Sequence, residues 1–478
     1  MSEDAAHTAT NAADAASTPT IGRRGLLGLG AAGVAAGVLP AGRSSARSAA
    51  AAGQRSAKNV VFVVSDGMST GTMTLAEMMR DVKGLGPSHW SRLWQRPGVR
   101  RAACTTYAAD GWVTDSAAAG SAWGIGEHIN NRAINFTPEG RTPEPIFLTA
   151  KALGKATGLV TTTRLTHATP AAFIANVPSR DLEQDIANQM IERGVDIALG
   201  GGARFFSEDL RAGHDDLIHM TSRDELLSSQ HGSGRVLGVF DRSHLDYEID
   251  RPDEQPSLSE MARAALDRLS TAPDGFVLQI EGGRVDHGAH ANDAPATVFD
   301  QIAFDEAVGV VAEWAGERDD TLVIVTTDHG NANPGLTYYG SRGVESFERL
   351  ANATGSFDAV MRAAKAQGDS LESLADALQR IMAVDLTESD IATLRRAHVD
   401  RERTDAFDIA NGIEPAMGAV LANHFGVAFV SPNHTADLVE VTAFGPGSEA
   451  MPHLIDNVDL HTMAVAAMTP GRASHWTA

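Results

Sequence analysis

From residue 59 onward, short runs of apolar and β-branched residues recur: Asn59–Ser65, Leu159–Thr163, Val195–Leu199, Gly275–Ile280, Thr321–Thr326 and Val439–Phe444. These runs do not alternate apolar with polar, so each reads as a strand buried on both faces. Between them lie helical patterns, such as Leu258, Met261, Ala265 and Leu269 on one face. Together they predict an α/β three-layer sandwich, a mostly parallel central sheet with helices on both faces. The rhythm stops from about residue 341 to 423, where charged helical patterns such as Ser370–Ala383 and Ser389–His398 predict an inserted helical cap. The cap belongs to one catalytic domain, residues 53–478, and no repeat of the solenoid kind is visible.

Residues 1–52 read differently. Arg23-Arg24 precede a modest apolar stretch, Gly25 to Pro40, which is diluted by glycine and alanine and followed by small residues. That is the pattern of a twin-arginine export signal with a linker, and it predicts a periplasmic or secreted protein. Sixteen residues of this kind fall short of the roughly 20 strongly apolar ones a membrane span needs, so none is expected in the mature protein.

Charge narrows the classes further. The 478 residues carry 39 Lys+Arg against 61 Asp+Glu, a net charge of −22. This argues against a nucleic-acid-binding module, which needs a basic face. A single cysteine, Cys104, excludes an intrachain disulfide and a cysteine-based zinc site. Any metal must sit on His, Asp and Glu.

Three predicted strands run into such residues. The first ends at Asp66, the second in Glu281-Gly-Gly-Arg-Val-Asp286-His287-Gly-Ala-His290, the third in Asp328-His329. Ligands bind at the carboxyl ends of strands in open parallel sheets, so Asp66, Glu281, Asp286, His290, Asp328 and His329 are expected in one small volume. Asp66 alone could be a helix cap. The whole group could not stay charged without cations, because neighbouring carboxylates raise one another's pKa. Imidazole and carboxylate donors suit zinc, and carboxylate with hydroxyl and water suits magnesium, so more than one metal is implied. Asp115-Ser116 precedes the small-residue run Ala117 to Ala122, which looks like a helix start. A hydroxyl there would lie beside unpaired N–H groups that favour phosphate, although a plain cap pair explains the same two residues. The context is not the G-x-S-x-G elbow of esterases.

At this point the residues resemble the alkaline phosphatases. Asp66-Gly-Met, Asp115-Ser116-Ala, His167-Ala-Thr169-Pro, Glu281 to His290, Asp328-His329 and Asn433-His434-Thr435 follow that family's motifs in order, over about Asn59 to Pro446. The resemblance implies a first zinc on Asp286, His290 and His434, a second on Asp66, Ser116, Asp328 and His329, and a magnesium on Asp66, Thr169 and Glu281. It makes Arg180, thirteen residues after His167, the clamp on two phosphate oxygens, oriented by Asp115. His167 and His287 stand beside the phosphate where some bacterial members carry Asp and Lys, and this histidine pair, similar to that of other members, should favour magnesium in the third site. The implied reaction is hydrolysis of phosphate monoesters through a phosphoserine on Ser116, and the family's common dimeric state makes a homodimer the expected assembly. A phosphodiesterase of the same superfamily or a non-catalytic phosphate or metal receptor are the alternatives. A sulfatase is disfavoured, since neither Cys104-Thr-Thr-Tyr nor Ser116-Ala-Ala-Ala fits its C/S-x-P-x-R pattern.

Overall fold

The computed structural model describes residues 56–229, 234–316, 318–404 and 407–469, and the Arg23-Arg24 leader lies outside them. Numbered along the chain, the strands are β1 (Asn59–Ser65), β2 (Arg100–Thr105), β3 (Ala156–Arg164), β4 (Ile197–Gly201), β5 (Leu217–Met220), β6 (Arg235–Val239), β7 (Phe276–Gly282) and β8 (Thr321–Thr326). Four two-residue strands follow, β9 (Gly330–Asn331), β10 (Gly335–Leu336), β11 (Val427–Ala428) and β12 (His434–Thr435), and then β13 (Val439–Phe444) and β14 (Leu454–Asp456). Ten of them form one sheet in the order β14-β2-β13-β8-β1-β7-β3-β4-β6-β5. Only β13 runs antiparallel to its neighbours, β2 and β8.

The middle of the sheet shows why both faces had to be apolar. Along β1, Val60, Phe62 and Val64 point into one core with Ala117, Trp123, Phe147 and Phe173. The alternate residues Val61 and Val63 point into a second core with Leu266, Phe304 and Val308. Helices Ser116–Ile125, Ile146–Ala152 and Val458–Met468 cover the first face, and Leu258–Leu269 and Ala294–Gly316 cover the second. The result is the three-layer, mostly parallel α/β arrangement. Strand β1 lies between β7 and β8, with Val64 level with Glu281 and Thr326. That register brings Asp66, Glu281 and Asp328 to one rim.

Between β10 and β11 the chain is helical, in Gly340–Leu350, Phe357–Ala366, Leu371–Met382, Glu388–His398 and Ile413–Phe425. These helices enclose a third core of Leu350, Phe357, Leu374, Leu378, Leu394 and Leu421, which rests on Leu75, Met79 and Val298 of the sandwich. β10 pairs antiparallel with β11, and β9 with β12, so that His434 lies level with Asn331. The excursion thus returns a histidine to the rim beside the end of β8.

Candidate active site and metal centre

The described structure brings together every residue picked out from the sequence for the site. Asp66 follows β1 and is wholly buried, as are Glu281, Asp328 and His329. Ser116 is the first residue of the helix Ser116–Ile125. Its Oγ lies 3.2 Å from His329 Nε2 and 3.5 Å from Asp66 Oδ1. Thr169 Oγ1 approaches the other Asp66 oxygen at 3.5 Å. His329 Nε2 also lies 3.2 Å from Asp328 Oδ2. Asp328 Oδ1 accepts from the amides of Gly67, at 2.9 Å, and His329, at 3.1 Å. A Cβ at Gly67, whose φ is +66°, would come within 2.3 Å of Asp286 Oδ1, so only glycine lets β1 turn this close to the cluster.

Asp286 and His290 stand a turn apart on the helix Arg284–His290, with His290 Nε2 3.4 Å from Asp286 Oδ2. His434 Nε2 lies 3.5 Å from Asp286 Oδ1 and 2.9 Å from His290 Nε2. Each imidazole is oriented from behind: His290 Nδ1 on Pro432 O at 2.6 Å, His434 Nδ1 on Thr114 O at 2.8 Å. A backbone carbonyl on Nδ1 fixes each ring with Nε2 turned into the cluster, the orientation a metal ligand takes.

At this rim three groups of side chains present ligand atoms within 4.8 Å of one another, Asp286, His329 and His434, then Asp66, Asp328 and His329, then Asp66, His167 and Glu281, while a fourth such group among the described residues, His89, Asp305 and Glu306, lies elsewhere. Burial lifts Asp66 well above the usual carboxylate range, helped by Asp328, Asp286 and Glu281. Burial likewise carries Glu281 to about 7 and Asp328 to about 6. Asp286 goes the other way. Burial opposes it, but His290 and His434 hold it well below its ordinary value. His290, against its own burial, is held up to about 9 by Asp286. Glu281 Oε1 and Asp328 Oδ2 are buried with no hydrogen-bond partner. Unsatisfied, mutually repelling carboxylates among imidazoles whose Nε2 atoms face them form a donor set that fits divalent cations.

Next to this cluster lies Arg180, held by Asp115. Asp115 caps its helix through Oδ1, 3.0 Å from Ala118 N, while Oδ2 accepts from Arg180 Nη1 at 3.0 Å and Arg132 N at 3.1 Å. Asp115 therefore caps its helix and holds Arg180 at the same time. Arg180 Nη2 lies 2.9 Å from His167 Nε2. His167 serves two neighbourhoods, Arg180 and the group with Asp66 and Glu281.

The family model described as alkaline phosphatase matches residues 57–469. The chain belongs to the alkaline phosphatase family. It is 29% identical over 432 residues to alkaline phosphatase 4 of Bacillus subtilis, covering 87% of this chain and 89% of that one. It is 30% identical over 456 residues to the repressible alkaline phosphatase of Saccharomyces cerevisiae, covering 84% and 78%. The crystal structure of Thermus thermophilus alkaline phosphatase superposes with a TM-score of 0.78 at 31% identity, over 89% of this chain and 94% of that chain. As an alkaline phosphatase the protein is a phosphoric monoester hydrolase of a metal-dependent family. No helix among the described residues is long and apolar enough to cross a membrane.

Sequence reasoning missed several residues at this alkaline phosphatase site. His244, in the loop after β6, packs edge-on against His287 and His167, with ring centroids 4.5 and 5.6 Å away. Arg164, at the end of β3, bonds the ring of His244 and pairs with Glu183 at 2.7 Å. Asn331 donates to Asp286 Oδ1 at 2.7 Å. Arg164 and Asn331 carried the strand-end signal that flagged Asp66. His244 carried none.

Proposed function

We propose that Ser116 is the nucleophile of phosphate monoester hydrolysis and carries a phosphoserine intermediate. The observation that supports this most is the position of Ser116 Oγ, at a helix N-terminus and within 3.5 Å of both Asp66 and His329, members of one candidate metal group. Ser116 Oγ attacks phosphorus in line, forming the Oγ–P bond as the ester P–O bond breaks and the alcohol leaves. Water then cleaves Oγ–P and releases inorganic phosphate. Two zinc ions, one on Asp286, His290 and His434 and one on Asp66, Ser116, Asp328 and His329, with a magnesium on Asp66, Thr169 and Glu281, would supply charge compensation, hydroxyl activation and leaving-group stabilisation.

The chain's own contribution is grip and orientation. A guanidinium has five N–H donors. Asp115 and His167 engage two of them, and the remaining three suit the free oxygens of a dianionic monoester. A diester lacks one of those oxygens. Ser116→Ala is expected to bind metal as before and to lose most turnover of p-nitrophenyl phosphate, with bis-p-nitrophenyl phosphate as the diester control. An intact rate would remove Ser116 from the nucleophile role.

We also propose that residues 1–52 direct the protein out of the cytoplasm through the Arg23-Arg24 pair. Arg23→Lys with Arg24→Lys should leave phosphatase activity in the cytoplasmic fraction, and unchanged activity outside the cell would refute the signal.

A further inference from the structure

The helical segment between β10 and β11 is hydrogen-bonded to the site at the start of its second helix. Arg284, the first residue of the helix Arg284–His290, is only 8% exposed, and its guanidinium lies over the Tyr247 ring, 3.7 Å from the centroid. Nη2 donates to Asp358 Oδ2 at 3.2 Å, and Nη1 lies 2.8 Å from His287 Nδ1. Asp358 is the second residue of the inserted helix Phe357–Ala366. The amide just before it, Phe357 N, donates to Asp293 Oδ2 at 2.5 Å, so the inserted helix begins with two bonds to the segment carrying Asp286 and His290.

A guanidinium can only donate, so His287 Nδ1 must be a lone pair and the ring proton must sit on Nε2. The ring cannot easily turn over, because His244 and His167 pack edge-on against it at 4.5 and 5.5 Å. His167 in turn meets the clamp arginine, Arg180. We propose that Asp358 and Arg284 are positioning residues that fix His287 with its Nε2–H available to the substrate phosphate, so that the inserted segment tunes phosphate binding. The inference rests on the expectation, implied by the family resemblance, that His287 stands beside the bound phosphate. Arg284 is held by an aromatic face on one side and by Asp358 at its tip. Removing Asp358 frees the tip and lets Nη1 leave His287.

The test is a cycle of Asp358→Ala, His287→Ala and the double variant of the full-length, metal-loaded enzyme. The readouts are the inhibition constant of inorganic phosphate, kcat and KM for p-nitrophenyl phosphate, and Tm. Asp358→Ala is expected to weaken phosphate inhibition by about threefold and His287→Ala by roughly tenfold, with Asp358→Asn, which still offers an acceptor oxygen, close to the parent. In the His287→Ala background, Asp358→Ala should add nothing. The same loss in both backgrounds would overturn the inference, since a merely structural role is indifferent to His287. Unchanged phosphate inhibition in His287→Ala would instead sink the phosphate reading of His287, and the inference with it. Asp358 is 52% exposed, so its variants are expected to fold even where Arg284 variants do not.

Discussion

Asp115 commits both carboxylate oxygens to protein donors, and the cost shows one loop away. Arg132 adopts a left-handed backbone, φ 69°, unusual for a residue with a long side chain. That conformation sets its N–H on Asp115 and its carbonyl on Arg180 N, at 2.6 Å. Arg180 is therefore held at its backbone and at its guanidinium. Arg180→Ala removes the fork and leaves its partners in place, so phosphate inhibition should weaken by roughly 2 kcal/mol, about thirtyfold, as for a charge-assisted hydrogen-bond pair. The ratio of monoester to diester rates should fall with it. An unchanged ratio of p-nitrophenyl to bis-p-nitrophenyl phosphate turnover would show that selectivity lies elsewhere. At this scale much of the site could be read from the chain, because Asp66, Glu281 and Asp328 stand at the ends of adjacent parallel strands and strand order brings those ends together. His244 could not, since its place depends on a loop path and on a partner, Arg164, eighty residues earlier.

Elements were legible in proportion to how completely they are buried. β1, β7 and β8 are buried at every position and appear in the sequence as dense apolar runs, interrupted in β7 by Gln279. β2 begins with exposed Arg100 and Arg101, β5 is a half-exposed edge, and β14 has three residues, so none has a run to find. β6 is nearly all buried but has only five residues, opening on arginine and interrupted by Gly238. The inserted helices were readable for another reason, since their caps are local. Ser370 and Thr387 close capping boxes onto Ser373 and Asp390. Their packing is separate from the sheet's two cores, which gives a prediction at this scale. Leu378 is fully buried in the third core. Leu378→Ala should cost about 3 kcal/mol of stability, the usual cost of a buried leucine cavity. Metal content and kcat at 25 °C should stay close to the parent, because Leu378 belongs to the insert's own core and not to the rim cluster. Urea unfolding beside a metal assay checks both halves. A loss of bound metal at full folding would mean that the insert's core, and not only its Asp358 contact, shapes the centre.

The whole molecule carries a net charge of −22, and its most crowded acids are buried on one rim. Burial raises Asp66, Glu281 and Asp328, to about 7 for Glu281 and about 6 for Asp328. The unfolded chain would ionise the same groups near pH 4. A carboxyl whose folded pKa is raised contributes its stability in full below the unfolded value and loses it as pH climbs through the folded one. His290, held up to about 9, loses its contribution in the same direction at the alkaline end. Asp286, held low, contributes above its unfolded value and gives that up only in strong acid, outside this range. Stripped of cations, the fold should therefore be comfortable at pH 5 and strained at pH 8 to 9. Bound divalent ions take over the role of those protons, so they matter little at pH 5 and a great deal at pH 9. Chelation is expected to lower Tm by only a few degrees near pH 5 and progressively more toward pH 9, and adding zinc and magnesium back to the chelated protein should release protons in the neutral range. Thermal scans with and without chelator at each pH measure the first effect, and titration calorimetry in buffers of different ionisation enthalpy measures the second. A chelation effect of the same size at pH 5 and pH 9 would mean that the rim acids are neutralised by something other than the ions, and the metal assignment built on their crowding would fall.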